Sequence, residues 1–180
     1  MRCHPGLDYY QWDEVQRKAV KLGKYPALLG AALGPNGAGS TIWRIYLTPD
    51  GQKAPVQDCK KAAGAELSPG HAVRLYEPKD ELGIAEGIET AVAITARWKV
   101  PTWATLTAGG MSKFVLPEGY ERIKVVRIFA DNDKPDQKGR RAGNDAAERL
   151  KARVEAQGIR ALIALPMGTE VDFADAAMAS

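Results

Sequence analysis

The alternation of β-like and helix-like segments between Leu82 and Leu165 constrains the fold of this chain more than any other feature. Short apolar runs predict strands at 82–86, 102–107, 123–130 and 159–165, and apolar residues at helical spacing predict helices at 88–99 and 144–157. Strands that alternate with helices form a parallel sheet covered on both faces. The sequence therefore predicts an α/β domain, in which ligands bind at the carboxyl ends of the strands.

The first 80 residues have a different character, because turn signals such as Pro49-Asp50-Gly51 are frequent there. The segment 40–47 alternates like a strand, shorter strands are predicted at 53–56 and 72–76, and a helix is predicted at 12–23. These 80 residues carry 11 Lys and Arg against 8 Asp and Glu, whereas the remainder carries 14 of each. We predict a small basic α+β subdomain over 1–79 and an α/β domain over 80–180.

The composition excludes several classes of protein. A chain that is 45% hydrophobic and 26% charged is typical of a soluble globular protein. No apolar run approaches the ~18 residues that span a bilayer and no leader pattern opens the chain, so we expect a cytoplasmic protein without membrane contact. Cys3 and Cys59, even with His4 and His71, lack the spacing of a structural zinc site, which favours free thiols in a reducing compartment.

Acidic residues follow two of the predicted strands. Glu86 ends the first, and Asp131 and Asp133 come directly after the third. Carboxylates that converge at neighbouring strand ends repel one another unless a hard cation such as Mg²⁺ lies between them, and such an ion supports phosphoryl transfer. The alternative reading is structural, because an Asp-Asn-Asp loop also caps helices and Glu89 suits the positive end of a helix dipole.

The motifs around these acids resemble a known family. Ile84–Ala91 (IAEGIETA) and Phe129–Asp133 (FADND) are similar to the Toprim domain shared by bacterial-type DNA primases, topoisomerases and some nucleases. The form of these motifs resembles phage- and plasmid-type primases and primase–helicases, and Asp172–Asp175 (DFAD) resembles the tail of that Toprim region. The segment before residue 80 resembles, more loosely, the part that precedes Toprim in those primases. The resemblance implies a Rossmann-like sheet of about four mainly parallel strands between helices.

The resemblance also implies roles for particular residues. Glu86 takes the place of the family's glutamate, as metal ligand or general acid/base, and Asp131 and Asp133 become the paired metal ligands. Asp172 and Asp175 are further candidate ligands. The implied cofactor is Mg²⁺ or Mn²⁺, and the implied reaction is template-directed synthesis of short primers from NTPs on single-stranded DNA. A replicative helicase or helicase domain is the implied partner.

Basic residues are candidates for binding phosphate groups of the template or of nucleotides. Those of the first half are Arg44, Lys53, Lys60, Lys61 and Arg74, and those of the spacer after Asp133 are Lys138, Arg140 and Arg141. Arg44 and Tyr46 share one face of a predicted strand, so together they are expected to contact a phosphate and a base. For each single cation, ordinary solvated surface is the alternative.

Two other functions use the same residues. A Toprim nuclease would use the acids to activate water and would cleave DNA without incorporating NTPs. A non-catalytic Toprim module would bind DNA or a partner protein without turnover. The predicted function is the catalytic core of a DNA primase, with these two as alternatives.

Overall fold

A computed structural model describes residues 1–64, 67–131 and 141–166, together with Phe173. Contacts between residues divide the chain into two compact units, the first made of Met1–Ala31 and Thr41–Glu66 and the second of Ala32–Ser40 and Leu67–Ser180. The predicted boundary between residues 79 and 80 stays a prediction. In the parts of the chain that the structure describes, no helix has the length and apolar character needed to cross a membrane.

The first unit is built on antiparallel strands: β1 (Arg2–Asp13), β2 (Lys18–Leu33), β3 (Gly39–Tyr46) and β4 (Lys60–Ala62). Of β2 only the part up to Ala31, and of β3 only the part from Thr41, belongs to this unit. β1 and β2 form a long hairpin, and β4 pairs with β3. The small core of this unit consists of Tyr9, Ala27, Tyr46 and Ala54. Tyr9 packs edge-to-face on Tyr46, with ring centroids 5.0 Å apart.

The predicted helix at 12–23 is wrong, because these residues form the end of β1, a turn and the start of β2. Asp13 Oδ1 accepts hydrogen bonds from the backbone N–H groups of Val15 and Gln16, and Arg17 has a φ of 49°, so the chain reverses here. The strand predicted at 40–47 is confirmed as β3. The strand predicted at 53–56 is reduced to a single bridge between Leu47 and Lys53.

The second unit contains β5 (Ala72–Val73), β6 (Glu81–Ala85), α1 (Ile88–Trp98), β7 (Thr102–Ala104), α2 (Ala108–Lys113), β8 (Val125–Phe129), α3 (Ala142–Glu155) and β9 (Arg160–Ala164). Its strands lie in the order β5-β7-β6-β8-β9. β7, β6, β8 and β9 are mutually parallel, and β5 pairs antiparallel with β7. The predicted α/β class with four parallel strands is confirmed.

The core of the second unit lies between the sheet and its helices. It includes the strand residues Ile84, Trp103 and Ile128 and the α3 residues Leu150 and Val154. Continuous apolar strands are typical of a parallel sheet that is covered on both faces. The four predicted strands and two predicted helices of this half are confirmed, with ends displaced by at most three residues.

The helix α2 was not predicted. It begins after Thr107, whose side-chain oxygen accepts a hydrogen bond from the Gly110 N–H at 2.9 Å and caps the first turn. The sequence predicts a strand that runs to Thr107, but the strand ends at Ala104 and the backbone turns at Leu106, which has a φ of 70°. Thr107 is a favourable N-cap residue and was the available signal. The two glycines that follow it have low helix propensity, so the sequence does not predict a helix there.

Candidate functional site

Glu86 and Asp131 lie at the same edge of the parallel sheet. β6 and β8 are adjacent, and their register pairs Ala85 with Phe129. Glu86 is the first residue after β6, and Asp131 is the second residue after β8. The carboxyl ends of neighbouring parallel strands are where ligands bind in such sheets. The structure therefore brings together one predicted acid from each of the two main motifs.

The backbone around Glu86 is held by its neighbour β7. The Thr105 N–H donates to the Ala85 carbonyl at 2.9 Å, and the Leu106 N–H donates to the Glu86 carbonyl at 2.8 Å. These bonds continue the β6–β7 pairing past the end of β7 and fix the position of Glu86. Gly87 then has an extended backbone, and α1 begins at Ile88. Both Glu86 and Asp131 are half-buried, and the Oδ1 atom of Asp131 is itself shielded from solvent.

Carboxylates are the donors that Mg²⁺ and Mn²⁺ prefer, so the chemistry of Glu86 and Asp131 fits a divalent cation. The residues that the structure describes contain no group of three His, Cys, Asp or Glu side chains close enough to hold a metal ion. The third predicted ligand, Asp133, lies outside the described residues, as do Asp172 and Asp175. Their assignment stays a prediction.

The middle of the predicted tail motif is anchored near this edge. Phe173 is 7% exposed, and its ring packs edge-to-face on Phe129 at 5.1 Å and on Trp98 at 5.9 Å. Phe129 is the last residue of β8 and precedes Asp131 by two positions. The aromatic residue of the Asp172–Asp175 segment therefore packs beside the strand that carries Asp131.

A histidine that sequence reasoning did not assign to this region fixes the loop after β7. His71 is 3% exposed, and its two ring nitrogens lie 2.5 Å from the Ser68 carbonyl oxygen and 2.9 Å from the Thr105 carbonyl oxygen. Gly110 packs directly against the imidazole, since a Cβ there would lie 3.1 Å from Nε2. His71 thus connects a turn near β5 to Thr105, whose N–H donates to the Ala85 carbonyl. No local pattern in the sequence indicated this role of His71.

The predicted pair Arg44 and Tyr46 lies together in the first unit, with the guanidinium carbon 5.9 Å from the ring centroid. Arg44 Nη2 donates to the Ala62 carbonyl at 2.7 Å. Tyr46 is fully buried, and its hydroxyl donates to the Asp8 carbonyl at 3.1 Å. A ring without exposed surface cannot stack on a base, so the predicted base contact of Tyr46 is corrected to a role in the core.

The other predicted cations have varied surroundings. Lys61 lies 3.8 Å from the centroid of Tyr9 and donates to the Tyr10 carbonyl at 2.5 Å, whereas Lys53 is exposed. Lys60 pairs with Ile45 across β3 and β4. In the second unit, Arg74 donates a hydrogen bond to the Gly34 carbonyl at 2.7 Å, and its guanidinium carbon lies 5.2 Å from the ring centroid of Trp103. Arg141 lies directly before α3. Lys138 and Arg140 lie outside the described residues. Their contacts with phosphate stay predictions.

The burial of Tyr46 leads to an expected pH dependence. Burial raises the pKa of its phenol above the ordinary value of 10.0, and the nearby Arg44 guanidinium opposes this with a smaller effect. The folded state then holds the phenol proton more tightly than the unfolded state, so this contribution to stability is complete below pH 10.0 and is lost as the pH rises above it. We expect the wild-type melting temperature to fall in alkaline solution, and to fall less in Tyr46→Phe.

The measurement is a thermal melt at a series of pH values for the wild type and Tyr46→Phe. At neutral pH the variant should be less stable by about 1 kcal/mol, because the hydrogen bond to Asp8 is lost. Tyr10→Phe changes an exposed tyrosine of the same unit and should follow the wild type. If the melting temperature of Tyr46→Phe fell as steeply with rising alkaline pH as that of the wild type, Tyr46 would not be the source of the pH dependence.

Both parts of the chain match protein families. Residues 81–180 match the Toprim domain. Residues 1–75 match a family described as a domain of unknown function (DUF7146). None of the curated proteins matches the chain.

Several solved structures share the fold at low sequence identity. A DNA primase domain from Pseudomonas aeruginosa is 16% identical with a TM-score of 0.55, and the match covers 95% of this chain and 52% of that one. For the E. coli primase catalytic core the identity is 13%, the TM-score 0.56, and the coverage 94% and 53%. A DnaG primase catalytic domain bound to single-stranded DNA is 15% identical with a TM-score of 0.54, with coverage of 93% and 52%.

The chain therefore spans about half the length of these solved structures, and at such identities the likeness shows the fold alone. The match to the Toprim domain is stronger evidence of family membership, because it includes both acidic motifs and extends over more than half of the chain. With its parallel sheet, its strand-end acids and this match, the chain belongs to the Toprim family.

Proposed function

We propose that the chain is the catalytic core of a DNA primase that makes short primers from NTPs on a single-stranded DNA template. The observation that carries this proposal is the register of β6 and β8, which brings Glu86 and Asp131 to one edge of a Toprim sheet. Supporting it, the chain shares its fold with primase catalytic cores, one of which was solved with single-stranded DNA. The proposal includes a cytoplasmic location, a helicase or helicase domain as partner, and the division of the core at residues 79 and 80.

In this proposal Glu86, Asp131 and Asp133 hold Mg²⁺ or Mn²⁺, with Asp172 and Asp175 as further candidate ligands. The bound cation supplies neutralisation of negative charge on the reacting phosphates. The 3′-hydroxyl oxygen of one nucleotide attacks the α-phosphorus of the next, a new phosphodiester bond forms, and pyrophosphate leaves. Glu86 accepts the hydroxyl proton in the role of general base. The hydrogen bond from the Leu106 N–H to the Glu86 carbonyl fixes the backbone from which this side chain projects.

The cations of the proposed core neutralise phosphate groups of the template and of the incoming nucleotides. In the first half these are Arg44, Lys53, Lys60, Lys61 and Arg74, and after Asp133 they are Lys138, Arg140 and Arg141. Tyr46 is left out of the proposed contacts, since its ring is buried. Arg44 and Lys61 already lie against buried aromatic rings, so their positive charges are held in place before any phosphate arrives.

A primer-synthesis assay tests the proposal. The full chain is incubated with single-stranded DNA, labelled NTPs and Mg²⁺ or Mn²⁺, and products are separated on a denaturing gel. We expect short oligonucleotides that require all three components, and no product on duplex DNA of the same sequence. Metal-dependent shortening of the template without NTP incorporation would identify a nuclease instead. Binding of DNA with neither reaction would identify a non-catalytic module.

A further inference from the structure

The hairpin of β1 and β2 presents two aromatic rings to solvent. Tyr10 is 45% exposed and Trp12 is 56% exposed. The two residues are two positions apart in β1, and the register is regular between them, so their side chains lie on the same face. Large exposed rings on one face of a strand are unusual unless something covers them.

The same face also carries positive charge. The register pairs Tyr10 with Lys21 and Asp8 with Lys24, and cross-strand partners share a face. Asp8 lies between the two lysines, with its carboxylate oxygens 2.8 Å from Lys21 Nζ and 3.8 Å from Lys24 Nζ. Two ammonium groups and one carboxylate leave a surplus of one positive charge beside the rings. The side chains of Lys21 and Lys24 remain 44% and 66% exposed.

The opposite face of the hairpin is anchored. Tyr9 alternates with Tyr10 along β1 and is fully buried, with its ring 5.0 Å from Tyr46 and 6.1 Å from Tyr25. The register shift between the Tyr9 and Tyr10 pairs leaves Leu22 as an extra residue, a bulge that lets Lys21 and Lys24 lie on the same face of β2 although they are three positions apart. The aromatic–lysine face, meaning Tyr10, Trp12, Lys21 and Lys24, is thus fixed on a packed strand rather than carried on a loose loop.

We propose that the aromatic–lysine face binds single-stranded DNA, with bases stacked on Tyr10 and Trp12 and phosphates near Lys21 and Lys24. Only a single strand exposes the flat surfaces of its bases, and aromatic rings flanked by cations are the surface that such strands bind without sequence preference. The two rings are roughly 6.8 Å apart along β1, about twice the axial distance between neighbouring nucleotides, so one strand can reach both. This inference rests on the proposed function for the role of the strand as template, but binding itself requires no catalysis.

Binding is measured by fluorescence anisotropy of a labelled oligo(dT) of about 16 nucleotides, without divalent metal. The full chain is compared with Tyr10→Ala/Trp12→Ala, Trp12→Leu and Trp12→Phe. We expect the double variant to bind about 10- to 100-fold more weakly, because base stacking contributes that much for one or two rings. Trp12→Leu should lose most of the contribution of Trp12, whereas Trp12→Phe keeps a flat ring and should bind nearly as the wild type does.

Val15→Ala is the matched control, since Val15 is an apolar residue of the same hairpin that is 93% exposed and lies outside the face. It should not change affinity. A second readout is tryptophan fluorescence, which oligo(dT) should quench in the wild type and much less in Trp12→Phe, although both bind. Thermal melts confirm that the variants are folded.

Two results would overturn the inference. One is wild-type affinity for oligo(dT) in the double variant, and the other is wild-type affinity in Trp12→Leu, which would show that binding does not need a flat ring at this position. Primer synthesis separates this inference from the proposed function. Ring-dependent DNA binding by a chain that makes no primers would support the inference and refute the primase. Primer synthesis by a chain whose affinity for the template does not change when the rings are replaced would support the primase and refute the inference.

Discussion

Asp131→Asn and Glu86→Gln are each expected to lower primer synthesis by at least about 100-fold, because metal ligation and general acid–base catalysis contribute at that level. Both substitutions preserve the size of the side chain and remove its negative charge. The backbone bonds at Glu86 and the strand before Asp131 do not involve the substituted groups, so the fold should persist. The measurement is the initial rate of primer formation at saturating template and NTP.

The control for this pair is Glu155→Gln, which changes an exposed carboxylate at the end of α3 and should keep the wild-type rate. Template binding should also be unchanged in Asp131→Asn and Glu86→Gln when it is measured without metal. Wild-type rates in both variants would remove the two acids from the proposed mechanism. Loss in only one would assign the chemistry to that residue and to acids outside this pair.

Gly110→Ala is expected to destabilise the second unit by about 3 kcal/mol, at the upper end of the usual cost of overpacking. An added Cβ would lie 2.2 Å from the Thr105 carbonyl oxygen and 3.1 Å from His71 Nε2. The first contact is with backbone, so no rotamer change relieves it. Roughly 2–4 °C per kcal/mol predicts a melting temperature about 6–12 °C lower, which calorimetry or circular dichroism can measure.

Gly109→Ala is the matched control, because Gly109 is the neighbouring residue of the same helix and is exposed. Among the residues that the structure describes, a Cβ there would meet Thr107 Oγ1 alone, at 3.8 Å. Alanine is the better helix former, so this variant should be as stable as the wild type or slightly more stable. If both alanine variants melted alike, the close packing of Gly110 against Thr105 and His71 would be refuted.

The second half of the fold was predictable because its signals are local. The strand Val125–Phe129 is a continuous apolar run, and α1 carries its buried residues at helical spacing, so each element is visible without knowledge of its neighbours. Glu86 and Asp131 could be placed at one edge for the same reason, since each lies within two residues of the end of such a strand.

The first half depends on long-range pairing, which local patterns do not record. Residues 12–23 have little regular apolar spacing, and their structure is decided by pairing of β1 with β2 and by the burial of Tyr9 on Tyr46. The same packing explains why the base contact predicted for Tyr46 is wrong. The strand that carries Tyr46 was predicted correctly, but the burial of its ring depends on contact with Tyr9. The structural role of His71 was not predictable, because its two hydrogen bonds reach residues that lie 3 and 34 positions away.

The division of β2 between the two units has a practical consequence for the recombinant production of parts of this protein. Ala32 and Leu33 pair with β5, and the Gly34 carbonyl accepts a hydrogen bond from Arg74, so the segment 32–40 is an integral part of the second unit. A recombinant fragment that starts at residue 80 would discard that segment, β5 and the Tyr76 carbonyl that accepts the indole N–H of Trp103. Solubility of such a truncation would then be limited by an uncovered tryptophan, and a clone that retains residues 32–78 avoids the problem.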